Sequence, residues 1–327
     1  LDFTVLNGKL DASFDWYTRR TVDILMNGTK LPAVLGATVP KRNTGELKTN
    51  GWELSFKWKD QLSNGIRYDI GLVLSDYQSE VIKFSGNPNK LLSSLYDGMK
   101  MGEIWGYETV GILQESDFTV DENGKYTLIG PSQTKIQSTI YPGDVRYADL
   151  DGDGEITKGD ETVDNPGDRK IIGNSTPRFH YGITGNISWK NFDLNIFFQG
   201  IAKRDVWISD NVFWGGSGTA GNWEMYNNSW TPEHTDAKYP MYAGRISSIQ
   251  QTGYLFNGAY LRLKTLALGY TLPREWTNKV KLSTVRLSLS GYNLFEISQI
   301  PDLYDPDQIS SSYPMMRSVA FGLQVGF

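Results

Sequence analysis

Residues 149–160 read Asp149-Leu150-Asp151-Gly152-Asp153-Gly154-Glu155-Ile156-Thr157-Lys158-Gly159-Asp160. Aspartates fill the first, third and fifth positions, glycine the sixth, and a carboxylate the twelfth, which is the spacing of a calcium-binding loop. A hard divalent cation takes about 6–8 oxygen ligands at close range. Alternating aspartates supply these oxygens, Gly154 makes the sharp turn, and Glu155 would donate its backbone carbonyl. The expected ligand set is therefore Asp149, Asp151, Asp153, Glu155 and Asp160 around Ca²⁺, in a structural rather than catalytic role. Ile156 would pin the loop to its neighbours. The departure is Asp160, where the pattern usually has the longer Glu, and residues 141–147 look extended rather than helical. The competing reading is an acidic turn held by Asx hydrogen bonds alone.

Other reactive groupings are sparse. The chain has two histidines, His180 and His234, and no cysteine. Thiolate metal sites, cysteine nucleophiles and disulfides are excluded. No Ser/His/acid grouping gathers in one region, and no enzyme is expected. Gly215-Gly216-Ser217-Gly218 does not open a helix after a strand, so it is not read as a phosphate cradle. Aromatic residues crowd the stretches between strands: Tyr96, Trp105, Tyr107, Trp214, Trp223, Tyr226 and Trp230. They read either as stacking surfaces for a ligand or partner, with Trp214, Trp223 and Trp230 as candidates, or as packing within loops.

The elements that must position these groups are strands. Aromatics make up 13% of the chain and glycines number 34, a mix that favours β structure. A net charge of −5 gives nucleic acid no electrostatic foothold. No apolar run is long enough for a transmembrane helix, but a barrel strand needs only about 9–11 alternating residues.

Nine segments alternate apolar and polar residues. Leu1–Leu6 is the first, closed by the hairpin signal Asn7-Gly8. In the second, Leu10, Ala12, Phe14 and Trp16 oppose Asp11, Ser13 and Asp15. Trp52, Leu54, Phe56 and Trp58 follow, then Ile66 to Leu74, Phe179 to Trp189, and Phe192 to Phe198. His180 falls on the polar face of its strand. Between Leu261 and Tyr270 the phase slips by one residue, which predicts a bulge near Lys264-Thr265. Val285 to Leu289 and Val319 to Phe327 complete the set. Short connections (7–8, 60–65, 190–191, 272–284) alternate with long ones (21–45, 76–177, 208–257, 298–315). That is the plan of an up-and-down outer-membrane barrel, with short periplasmic turns, long extracellular loops and a lipid-facing apolar surface. A soluble sandwich also alternates, but gives no reason for every long loop to share one end. Leu1 already lies in a strand, and nine strands do not make the even number usual in bacterial barrels. Further strands are expected N-terminal to Leu1.

Several motifs resemble the SusC/RagA group of TonB-dependent outer-membrane transporters, over nearly the whole chain and in the family's order. They include Phe14-Asp-Trp-Tyr-Thr-Arg-Arg-Thr-Val-Asp-Ile-Leu25, Asn43-Thr-Gly45 and Asn50-Gly-Trp-Glu-Leu-Ser55. Gly102-Glu-Ile-Trp-Gly-Tyr107 and Gly111-Ile-Leu-Gln114 follow. Pro142-Gly-Asp144, the acidic loop, Ile172-Gly-Asn174 and Pro177-Arg-Phe-His-Tyr-Gly182 form the clearest block. Trp230-Thr-Pro-Glu233, Ala237-Lys-Tyr-Pro240, Tyr260-Leu-Arg-Leu-Lys264 and Gly269-Tyr-Thr-Leu-Pro273 complete the series. The resemblance is to the family's C-terminal third. It implies that residues 1–327 form part of a 22-strand barrel, with a plug domain that this chain does not contain. It also implies a SusD-like surface lipoprotein as lid, energy from TonB-ExbB-ExbD, and import of oligosaccharides or oligopeptides across the outer membrane. The alternative is a binding or adhesion barrel whose loops hold a surface partner without transport.

Overall fold

The computed structural model describes residues 1–27, 34, 36, 40–214, 223–242, 249–309, 313 and 315–327. Nine strands form one antiparallel sheet: β1 (Asp2–Val5), β2 (Leu10–Asn27), β3 (Lys41–Gln61), β4 (Arg67–Phe84), β5 (Arg178–Trp189), β6 (Phe192–Lys203), β7 (Tyr260–Thr271), β8 (Thr284–Ser298) and β9 (Ser318–Gly326). Each pairs only with its sequence neighbours, so the sheet is an unbroken up-and-down meander. It is a segment of an all-β, antiparallel transmembrane barrel.

The alternation in sequence becomes two unlike faces. Phe14, Trp16, Ile70, Leu289, Phe321 and Leu323 are exposed on the apolar face, as lipid contact requires. At the short-turn end that face carries an aromatic row. Trp58 Nε1 donates to Tyr68 Oη at 3.3 Å, and the Phe192 and Tyr270 rings lie 4.5 Å apart. The register places Trp16 opposite Trp52 nearer the long-loop end.

The other face is laced with polar side chains. Asp11 accepts from Thr4 and Lys59 at 2.8 and 3.0 Å. Asn186 donates to Asp69 at 3.0 Å and accepts from Asn195 at 2.6 Å. Arg286 grips both carboxylate oxygens of Asp193. Such a ladder needs water or polar neighbours, so this face belongs to a hydrated interior.

The sequence pattern and the strand bounds differ in two places. β2, β3 and β4 are 18, 21 and 18 residues long. They continue past the apolar segments, so the connection expected from Asp76 begins only after Phe84. Beyond Trp16 and Trp52 the same face turns polar, with Thr18 donating to Asn50 at 2.8 Å and Arg20 paired with Glu46. Those ends rise clear of any lipid. The turn after β1 spans residues 6–9 rather than two, with Leu6, Asn7 and Gly8 at φ 56°, 56° and 76°. The predicted slip in β7 is present as a register shift between Leu263 and Thr265.

Candidate functional site

All the long connections leave one rim, and three of them fold together. Residues 85–177, 204–259 and 299–317 contribute to a single aromatic core above the sheet. It contains Tyr107, Val145, Tyr147 and Ile156 from the first, Val206, Phe213, Trp214 and Tyr254 from the second, and Ile300 and Tyr304 from the third. Phe213 sits among Trp214, Phe256, Tyr239 and Tyr304, with ring centroids 5.1, 5.5, 6.1 and 6.4 Å away. The Tyr304 hydroxyl donates to Asp210 at 2.6 Å.

The expected ligand-contact tryptophans separate into two kinds. Trp214 is 5% exposed, and its Nε1 donates to the Ile208 carbonyl at 2.7 Å. Trp230 is 2% exposed, and its Nε1 donates to Gln114 Oε1 at 2.9 Å. Gly143, at φ 90°, admits the Trp230 ring: a Cβ there would lie 2.6 Å from Trp230 Cε3. Both indoles are spent on packing, because tying distant segments together requires large apolar surfaces between them. Trp223 alone is open, 75% exposed, with its ring edge-to-face with Tyr226 at 5.8 Å. Residues 215–218 lie outside the described residues.

The acidic loop lies beside this core and is fastened to it. Ile156 is completely buried, as its place in the motif predicts. Its N–H donates to the Ser132 carbonyl at 2.7 Å, and Ser132 N donates to the Gly154 carbonyl at 2.9 Å. The Tyr107 hydroxyl donates to the Thr157 carbonyl at 3.1 Å.

Three of the five expected ligands come together. Asp149, Asp151 and Asp153 each place a carboxylate oxygen within 4.8 Å of the others. Asp149 accepts from Gly152 N and Gly154 N at 2.7 and 2.9 Å, and Asp153 from Glu155 N at 2.8 Å. Asp151 accepts from Asp153 N, which by itself would hold its carboxyl low. Burial and the surrounding Asp153, Asp168 and Asp149 charges outweigh that bond and raise it. Three hard oxygen donors gathered this closely suit a divalent cation.

Glu155, whose expected contribution is its backbone carbonyl, turns its side chain toward Lys135, 3.9 Å away. Asp160 is not brought to the group: its carboxylate accepts from Asn165 Nδ2 at 3.0 Å, and its N–H donates to the Asn165 carbonyl at 3.0 Å. The chain turns away there through Gly159 and Glu161, both at positive φ. The carboxylate that closes the loop is Asp168, which sequence reasoning missed. It is 0% exposed and accepts from Leu150 N at 2.8 Å and Thr157 N at 2.7 Å, bracing the motif near both ends. No motif position marks Asp168. The one available signal is an aspartate after the turn-forming Asn165-Pro166-Gly167.

A meander wall with an apolar outer face, a polar inner face and one rim of packed loops has the plan of a membrane β-barrel segment. Comparisons with known proteins agree with that class. The whole chain aligns, at 31% identity, with 33% of the TonB-dependent receptor P3 of Formosa agariphila. At 24% identity it aligns with 31% of the TonB-dependent receptor SusC of Bacteroides thetaiotaomicron. A solved structure of the RagAB peptide importer in an open-open state superposes with TM-score 0.71 and 22% identity over 99% of this chain and 33% of that one. Another RagAB peptide transporter structure gives 0.68 and 21% over 100% and 34%. No family model matches. The chain is thus similar, over its full length, to SusC/RagA-type TonB-dependent receptors, and it spans about a third of the length of the relatives it matches. Those relatives carry the names of receptors and transporters, not enzymes, in keeping with the sequence.

Proposed function

We propose that this chain forms part of the wall and outer loops of an outer-membrane active transporter energised through TonB-ExbB-ExbD. Its substrates would be oligosaccharides or oligopeptides, and a SusD-like surface lipoprotein would close over the long-loop rim. The observation that carries this reading is the union of three long loops into one core on a single rim, above a wall with one polar face. A preformed, rigid rim lowers the ordering cost of docking a lid. Likeness to TonB-dependent receptors supports the energy source, and likeness to the RagAB peptide importer supports the oligopeptide reading. Asp149, Asp151 and Asp153 would hold a structural Ca²⁺ that neutralises their mutual repulsion, with Asp168 supporting the loop from behind.

The test is uptake of labelled oligosaccharide and oligopeptide pools by cells carrying the full-length protein, with and without functional TonB. Uptake should vanish without TonB, and the lipoprotein should co-purify with the barrel. Surface retention of a partner with no uptake under either condition would favour the adhesion barrel instead.

A further inference from the structure

The short-turn end of the wall carries a surface that neither the loops nor the polar face uses. Strands β5 to β8 each have both neighbours in the sheet, so their apolar face is no open edge. On it Trp189 continues the exposed line of Ile183 and Ile187, and the exposed Phe192 stands opposite Trp189. Lys190 lies in the turn below. Its Nζ sits over the Trp189 ring, 4.6 Å from the centroid, which holds a cation on the lipid side of the wall.

The next short turn adjoins this one, because Thr271 N donates to the Asn191 carbonyl at 2.9 Å. Arg274–Thr277 is a single helical turn that runs into a tighter one, Asn278–Val280. Thr277 is buried. Leu282 N donates to the Thr277 carbonyl at 3.0 Å and Ser283 N to the Gly326 carbonyl at 2.9 Å, so the turn is tied at its far end. Trp276 and Val280, four residues apart and so on one side of this helical stretch, are 58% and 64% exposed.

Charge singles out the same corner. Residues 272–284 hold Arg274, Lys279 and Lys281 against Glu275 alone, in a chain of net charge −5. Among the described residues, none of Lys190, Arg274, Lys279 and Lys281 pairs with a carboxylate. At the other short turns the cations are paired, Lys9 with Asp60 at 2.8 Å and Lys59 with Asp11 at 3.0 Å. Ion pairing within the wall does not account for the four that stand free.

We infer that these two turns bind the headgroups of anionic phospholipid in the periplasmic leaflet. Trp276 and Val280 enter the boundary between headgroups and acyl chains beside Trp189 and Phe192, where an indole finds both an apolar bed and a partner for its N–H. The four cations meet lipid phosphates there. A glycerol headgroup leaves each lipid a net anion, whereas an ethanolamine headgroup brings its own cation and cancels the attraction. The inference rests on the transporter reading for its orientation, in which the short turns face the periplasm.

The test is native mass spectrometry of the detergent-purified full-length protein, offered phosphatidylglycerol, phosphatidylethanolamine and lipid A in equal amounts. Phosphatidylglycerol should be retained about tenfold over phosphatidylethanolamine. Lys190→Gln, Arg274→Gln, Lys279→Gln and Lys281→Gln combined should abolish that preference, while Lys9→Gln, at a paired turn, should keep it. Trp276→Ala should lower retention of both phospholipids about threefold. Resistance of the barrel to SDS at room temperature checks that each variant is folded. Equal retention of the two phospholipids by the parent, or a preference unchanged in the folded fourfold variant, overturns the inference. So does lipid A retention that falls in that variant while phosphatidylglycerol retention does not. In intact cells, Lys279→Cys should escape a maleimide coupled to a polymer too large to cross the outer membrane. Labelling from outside would overturn the orientation on which the transporter reading stands; no label together with no lipid preference would overturn this inference alone.

Discussion

Arg262 Nη2 lies 2.7 Å from Asp305 Oδ2, and through this pair the last long loop is fastened to the inner side of the wall. Arg262 is 1% exposed. Asp307 and Glu296 stand 3.9 and 4.0 Å from the same guanidinium, and Tyr260 donates to Asp307 at 2.7 Å. Arg262→Met would leave Asp305 without its cation, while Glu296 keeps Arg317 at 2.9 Å and Asp307 keeps Lys264 at 3.5 Å. Removing one partner of a buried ion group costs about 3–5 kcal/mol. Limited proteolysis of the full-length protein should then cut within residues 299–309, where the parent resists. Equal protection in parent and variant would mean the pair holds nothing.

The acidic loop should respond to chelation. With Asp149, Asp151 and Asp153 neutralised by Ca²⁺, residues 149–160 should resist protease; chelator should expose them, and Ca²⁺ should restore protection. Asp149→Ala should abolish the response, because it removes both a ligand and the acceptor of two backbone N–H groups. Asp160→Ala should leave the response intact, since Asp160 faces Asn165. A protease pattern blind to chelator would argue for the turn held by hydrogen bonds alone.

Asp168→Asn tests the carboxylate behind that loop. It keeps the size but loses the charge that receives two N–H donors. Charged hydrogen bonds contribute about 1.5–3 kcal/mol each, so the substitution should loosen residues 149–168 even with Ca²⁺ saturating. Hydrogen exchange at Leu150 and Thr157 would report it directly.

The tryptophans should divide cleanly. Trp230→Ala opens a cavity beside Gly143 and Gln114, and truncating a buried Trp costs about 3–5 kcal/mol. Trp223→Ala removes an exposed ring and should leave thermal stability within about 0.5 kcal/mol of the parent. Any loss of lid or ligand binding in Trp223→Ala would then be a contact effect rather than unfolding.

Alkali should dismantle the loop core before the wall. Burial, the dominant cause, pushes the Tyr107 hydroxyl from 10.0 to about 12; nearby Arg169 lowers it, while Asp168 and Glu161 raise it further. The folded loops therefore favour the neutral phenol. Its contribution to stability is complete below pH 10 and is lost as the pH rises through about 12. Phenolate absorbance should rise together with protease cleavage of the loops in that window, and Tyr107→Phe should delay the cleavage to higher pH.

The strands were legible because a lipid face imposes alternation residue by residue. Leu287, Leu289, Phe321 and Leu323 repeat with period two for that reason. Where the wall leaves the bilayer, nothing imposes it. The upper parts of β2–β4, with Thr18, Lys48, Asn50 and Gln78, are polar on the face that was apolar below, and their extent was invisible. The acidic motif was legible as a spacing, but its closure was not. Asp160 satisfies the twelfth position in sequence while the chain turns it toward Asn165, and Asp168 does the bracing from outside the repeat. Nor could composition tell Trp214 and Trp230 from Trp223. Trp214 is buried in a core that joins Phe213 and Tyr304, and Trp230 is buried against Gly143 and Gln114, partners distant in the chain that the fold brings together.

The shared core of the three long loops has a consequence for how such a rim can change. Because Phe213 and Tyr304, from different connections, pack with their rings tilted and centroids 6.4 Å apart, no single loop is a module. A graft of residues 204–259 alone from a relative would meet mismatched partners at Tyr107, Ile156 and Ile300, and would disrupt the other two loops. New specificity at this rim must come either from substitutions on exposed positions such as Trp223, or from exchanging the three loops as one inherited block.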